Sequence, residues 1–345
     1  MHRPAVAALF ICSGVATLSS CGTEAATPTE QRDFSPAKPG IAFSTTAPSC
    51  GQATHPSGLV VDQVTTPPAY GVAVREDGLT YFTEPYNGGV GITSTQTRTV
   101  DGFIATGDVP TGLDFSPDGN TAYVTNQYSY NVGVIDVASA TQIATIPIPN
   151  GASPFVVRVS PDGSRLFIST NTTTVYIVDT QTRQIISSVQ VGFAPNAFAV
   201  NPDGRIIYVS ASFGGTVTEV DMFSGTALRT FTVGGIAQDM AVTRDGARLY
   251  VANESGYLTE ITLQSGQVTA TISLDGAAFG VGVTPDDAQA YVGIHSVGEV
   301  QVFNLQSRRL AATLSVGGNP RRIAFSQLGH IAAIANLDGF VTFVR

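Results

Sequence analysis

A short phrase built on an Asp-Gly turn returns at a nearly constant interval along this 345-residue chain, and no other feature restricts its fold as strongly. Its clearest copies are Ser116-Pro117-Asp118-Gly119, Ser160-Pro161-Asp162-Gly163 and Asn201-Pro202-Asp203-Gly204. Each runs on into an aromatic-aliphatic pair: Tyr123-Val124, Phe167-Ile168 and Tyr208-Val209. Looser copies centre on Asp77, Asp245 and Asp286, and the weakest on Leu328. The third positions, 77, 118, 162, 203, 245, 286 and 328, lie 41, 44, 41, 42, 41 and 42 residues apart. A fixed period of that size marks an architecture of repeated units, none of which can bury its apolar faces alone.

Each copy divides into four strands. An apolar run such as Ala197-Phe198-Ala199-Val200 leads into the turn. There proline presets φ, and Asp-Gly supplies the polar, φ-permissive remainder of a hairpin. The second strand is the Tyr-Val segment, the third is typified by residues 174–179, and the fourth by residues 184–191. Four antiparallel strands in about 40 residues predict one blade of a β-propeller. The chain stops at Arg345 after only three strands of the seventh copy, while residues 58–65 read as an outer strand with no blade of its own. Pairing that strand with the last three closes the ring and removes an open sheet edge. Residues 58–345 number 288, or about 41 per blade for seven blades. The expected fold is all-β: a seven-bladed β-propeller of four-stranded antiparallel blades, closed by an N-terminal outer strand in the last blade.

Composition agrees with this reading. At 43% apolar and 12% charged, with 36 Gly and 19 Pro, the chain is too apolar to be disordered and too interrupted to be helical. Seventeen Lys and Arg against 26 Asp and Glu leave a net charge of −9, and there is no basic run. Nucleic-acid binding driven by phosphate contacts is therefore excluded as a main function.

Residues 1–20 read as an export signal. His2 and Arg3 supply a positive start, and the apolar stretch from Ala5 to Leu18 is too short to span a bilayer. It ends in Leu18-Ser19-Ser20-Cys21, which resembles the lipobox of bacterial lipoproteins. That resemblance implies cleavage before Cys21 and lipidation of its sulfur, giving a membrane anchor without a transmembrane helix. Cys12 leaves with the signal; Cys50 is then a lone thiol if Cys21 is lipidated, or a disulfide partner if it is not. Residues 21–56, rich in Thr, Ala, Pro and Ser, form a flexible tether ahead of a propeller at 57–345.

Tyr123-Val124-Thr125-Asn126 after its Ser-Pro-Asp-Gly turn resembles the signature of the YVTN-repeat propellers, with variants at residues 167–170, 208–211, 250–253 and 291–294. WD40 repeats fit poorly, since the chain has no Trp. The resemblance implies a seven-bladed, secreted or surface-attached propeller. It implies no single activity, because propellers host binding modules, lactonases, lyases and dehydrogenase subunits alike.

The turn aspartates are explained by turn chemistry, and no loop has the alternating ligands of a calcium site. Chemistry is expected instead at the opposite mouth, where the loops into each first strand and out of each second strand gather. Blades 5 to 7 offer Asp239, Asn253, Glu254, His295, Arg321, Arg322 and Asn336 there. Blades 1 to 4 offer Tyr70, Glu84, Tyr86, Asn126, Tyr128, Tyr130, Phe155, Asn196 and Phe213. One half of the mouth is ionisable and the other aromatic, as suits a small polar or sugar-like ligand. Four residues before each turn position, Ala73, Asp114, Arg158, Ala199, Ala241, Gly282 and Ala324 point at the axis. Asp114 and Arg158, on adjacent blades, are expected to pair.

Two functions from different classes remain. The first is an exported, lipid-anchored, monomeric binding or scaffold module at the cell envelope, with a protein, glycan or small polar ligand as partner and no cofactor. The second is a propeller enzyme, a lactonase-like hydrolase, lyase or dehydrogenase subunit. For it, His295 with Glu254 or Asp239 could act as general base and orienter, or Glu84, Asn126, Asn196 and Asp239 could hold a divalent metal. No phosphate-binding glycine loop or nucleophile elbow is present.

Overall fold

The computed structural model describes residues 61–345. The export signal, Cys21, the tether and Cys50 lie outside the described residues. The described chain forms seven four-stranded antiparallel sheets arranged as the blades of a propeller. Six blades take consecutive strands, at residues 72–105, 110–147, 154–190, 195–232, 237–273 and 278–315. The seventh combines Pro320–Phe325, Ala332–Asn336 and Phe340–Val344 with the strand Val61–Thr65 on its outer edge. The sole helical element among the described residues is a single 3-10 turn, Pro149–Gly151.

Alternation along each strand explains why blades stack around an axis. Both faces of a blade's middle strands are apolar, as in Tyr208-Val209 and Val217 of blade 4, and each face packs on a different neighbour. Seven clusters of buried side chains result, one between every adjacent pair of blades. No blade has a core of its own, which is why the repeat must close.

The turns behave as their composition requires. In blade 2 the Gly119 amide donates to Ser116 O at 2.8 Å with φ +70° at Gly119. Asp118 Oδ1 accepts from Ser116 Oγ at 2.5 Å and from the Asn120 amide at 3.1 Å. Hydrogen bonding from Ser116 holds this carboxyl below its ordinary value, and Ser160 and Thr243 do the same for Asp162 and Asp245.

The closing seam pairs Val61 with Val344 through Thr65 with Phe340 in unbroken antiparallel register. Val64 is buried between blades 7 and 1. Arg345 Nη2 donates to Asp62 Oδ2 at 2.6 Å, and Arg98 approaches the same oxygen at 3.2 Å. The sequence places this strand at residues 58–65; the described part is Val61–Thr65.

Candidate functional site: the axial mouth

Inner strands converge on an axial cavity of about 500 Å³. Its wall includes all seven residues of the expected ring: Ala73, Asp114, Arg158, Ala199, Ala241, Gly282 and Ala324. Arg158 Nη1 lies 3.4 Å from Asp114 Oδ1. Burial raises the Asp114 carboxyl, while Arg158 and the Val159 and Phe115 amides pull it back down. The cavity runs from Pro117 and Pro161 beside the Asp-Gly turns to Asp239 and Arg322 at the mouth.

At the mouth the inner strands carry a repeated irregularity. In blades 2 to 7 the pairing of the first two strands slips just after the first residue of the inner strand. Such bulges re-aim side chains. The first residue past that point is Thr111, Phe155, Asn196, Gln238, Phe279 or Arg321, and Tyr70 is the blade 1 equivalent. Some of these residues, and those next to them, meet across the axis between blades that are not neighbours. Tyr70 of blade 1 stacks edge-on to Phe155 of blade 3 and Phe279 of blade 6, each at 5.8 Å. Arg322 of blade 7 lies 2.8 Å from Asp239 of blade 5 and donates to Asn196 O of blade 4 at 2.9 Å. Asn196 Nδ2 in turn donates to Gln238 Oε1. Together they plug the mouth end of the channel. Tyr70 is deeply enclosed, and burial pushes its hydroxyl up to about 12.

The third letter of the Tyr-Val-Thr-Asn segment holds the plug in place. Thr125 Oγ1 accepts from the Gly112 amide of its own blade's bulge at 2.7 Å and donates to Phe155 O of the next blade at 2.8 Å. Ser210 repeats this between the Ala197 amide and Gln238 O. Gly280 lets the inner strands of blades 6 and 7 touch, since a Cβ there would lie 2.2 Å from Arg321 O.

The asparagines have a different role from the one their position suggests. Asn126, Asn253 and Asn336 are fully buried. Asn253 Oδ1 accepts from the Ile236 and Ser255 amides at 3.0 and 2.9 Å, and its Nδ2 donates to Gly234 O at 2.8 Å. Asn336 does the same for Asn319 and Gly317. Each therefore staples the linker that enters its blade. Asn126 Nδ2 likewise reaches Thr106 O and Asn131 Oδ1.

The expected metal set does not come together. Glu84 is buried and bonded by Asn87 Nδ2 at 2.7 Å, and burial raises its carboxyl. Asn126 serves its linker, Asn196 faces Gln238 and Arg322, and Asp239 is held by Arg322. Among the described residues no three His, Cys, Asp or Glu gather into a metal-holding group. In this structure these side chains are thus engaged with other groups of the protein.

The expected base and orienter are not hydrogen-bonded to each other. No hydrogen bond joins His295 to Asp239 or Glu254 among the described residues; Asp239 faces Arg322, and Glu254 is bonded by Gln238. His295 instead stands edge-on to Phe279, with ring centroids 6.5 Å apart. Burial, aided by Arg321, lowers its imidazole to about 4, so it is neutral at pH 7. Burial likewise raises Glu254, against the pull of Arg321 and Gln238. Phe279 and Gln238 escape a reading by residue type, although both fall three residues before the axial ring in register with Tyr70, Phe155 and Arg321.

Around the plug, aromatic side chains face solvent. Tyr86 is 66% exposed, Tyr130 45%, Phe213 46% and Phe193 52%, and Tyr128 is exposed beside them. Phe193 and Phe213 pack together at 5.9 Å.

Comparison with known proteins agrees with this architecture. Residues 94–233 match the family model described as lactonase, 7-bladed beta-propeller. The chain is 29% identical over 153 residues to the protein YncE of Salmonella typhi, and equally to that of Salmonella typhimurium, in a match covering 43% of this chain and 42% of the relative. The chain thus spans less than half the length of the curated relatives it matches. A chain of Kuenenia stuttgartiensis hydrazine synthase superposes with a TM-score of 0.75 at 19% identity, covering 87% of this chain and 99% of that one. The chain is a seven-bladed β-propeller. Blades 5 to 7, with Glu254, His295 and Arg321, lie beyond the segment matched to the lactonase family. Among the described residues no helix is long and apolar enough to cross a membrane.

Proposed function

We propose that this propeller is an exported, lipid-anchored binding module of the YVTN-repeat kind, docking a protein or glycan of the cell envelope on its mouth face. The observation that carries this reading is a closed axial plug surrounded by exposed Tyr86, Tyr128, Tyr130, Phe193 and Phe213. Aromatic rings offer flat apolar area with a polar tip, which suits sugar faces and protein hot spots. Near the axis Arg322 is paired with Asp239 and Arg158 with Asp114, which favours a face used for contact. Cys21 supplies the anchor. The test uses the mature chain carrying Cys21→Ser, titrated against purified envelope glycan and against solubilised envelope protein. Binding that falls in a Tyr86→Ser, Tyr128→Ser, Phe213→Ser variant supports the reading; no binding, or binding unchanged in the variant, refutes it.

A lactonase-like hydrolase is the second reading, favoured by the family match over residues 94–233. Lactone hydrolysis measured with and without added divalent metal separates the two. About one tightly held divalent ion per chain after dialysis against metal-free buffer would also favour the enzyme.

A further inference from the structure

Two arginines sit side by side in the plug, and their situations differ. Arg322 has Asp239 at 2.8 Å and Asn196 O at 2.9 Å. Arg321 is only 5% exposed, its guanidinium carbon is 4.7 Å from the Phe279 ring centroid, and its Nε is buried with no partner. No acceptor among the described residues takes its guanidinium. Glu254 is close enough to feel its charge but does not pair with it. A buried cation without an acceptor is costly and is normally retained only when something fills the place.

A second orphan lies against the same ring. His295 Nε2 is buried with no partner, and its ring is edge-on to Phe279. A neutral imidazole can present Nε2–H as a donor. One planar anion that reached both Arg321 and His295 would satisfy both. The guanidinium fork matches a carboxylate, and Phe279 backs it. Glu254, in the loop after the second strand of blade 5, opposes a doubly charged phosphate but can accept a hydroxyl proton.

We propose that Arg321 and His295 form a subsite on the blade 6 and 7 sector of the mouth for the carboxylate of a small 2-hydroxy acid, with Glu254 accepting the hydroxyl. This rests on the mouth face being the binding face and names the chemistry of one ligand group there.

The test follows histidine side-chain nitrogens by NMR in the mature Cys21→Ser chain, with His295→Gln identifying the resonance. The probes are glycolate, acetate and inorganic phosphate. Glycolate is expected to move the His295 signal saturably, with a dissociation constant on the order of millimolar. Acetate should bind more weakly, and Glu254→Ala, which removes the acceptor, should abolish that difference. Arg321→Lys retains the charge but loses the fork, and should weaken glycolate about tenfold. Its fold is checked by circular dichroism. No saturable shift with glycolate, an equal response in folded Arg321→Lys, or a preference for phosphate each overturns the subsite. Should envelope-glycan or envelope-protein binding survive while the glycolate response is absent, the subsite alone fails; should all be absent, the mouth-face reading fails with it.

Discussion

Removing the charge of Arg322 tests whether the plug is held by its ion pair. Arg322→Met retains length and apolar volume but leaves Asp239 facing no cation, and both side chains are enclosed, at 12% and 9% exposure. The Met240 amide still donates to Asp239 at 3.0 Å, so one hydrogen bond remains. Breaking a buried pair from one side costs about 3–5 kcal/mol, because the remaining charge is desolvated and uncompensated. Asp239→Leu strands Arg322 in the same way and should cost a similar amount. The double variant, Arg322→Met with Asp239→Leu, removes both charges and should return to within about 2 kcal/mol of the parent. Equilibrium urea unfolding at pH 7 measures all four proteins. In a propeller of this size each single variant should also melt roughly 5–8 °C lower. Single variants within about 1 kcal/mol of the parent, or a double variant equal to the sum of the singles, would refute the argument.

Three further outcomes follow from the geometry. Asn253→Ala strips three hydrogen bonds from a fully buried linker staple and should destabilise by about 1–3 kcal/mol in the same urea assay, against no change if the asparagine is a spectator. His295 takes up its proton near 6.5 when unfolded but only near 4 when folded, so its contribution is complete above pH 6.5 and is lost as pH falls toward 4. His295→Gln should therefore flatten the decline of the urea midpoint across that window, and parallel profiles would contradict the assignment. Deleting residues 61–65 exposes the edge of Phe340–Val344 and uncovers the blade 7 core, so the melting temperature should drop sharply; a truncated chain that melts like the parent would disprove the seam.

The ring was legible because its determinants are local and repeated. Pro117-Asp118-Gly119 makes its own turn, and Tyr208-Val209 announces a strand with two apolar faces. The axial ring followed from counting four residues back from each turn. The site was less legible because it depends on contacts that period alone does not encode. Asn126 occupies a mouth position by count, yet its amide folds back on the Thr106 linker. Phe279 and Gln238 carry no functional signature by type, yet a bulge in each inner strand turns them toward Tyr70 and Asn196. Whether Arg321 or Arg322 finds the carboxylate of Asp239 depends on which blades face each other across an axis seven strands wide.

The seam has a mechanical consequence. Val61 and Val344 are directly opposite each other in antiparallel strands, and Arg345 reaches Asp62 across 283 residues of sequence. During folding the first of these strands has no mate until the last one exists, so ring closure waits on the most distant contact among the described residues. A pull between the two ends loads the seam at a single pair and unzips it stepwise, instead of shearing five pairs at once. Tension would open this propeller at its outermost edge first, with six blades still stacked.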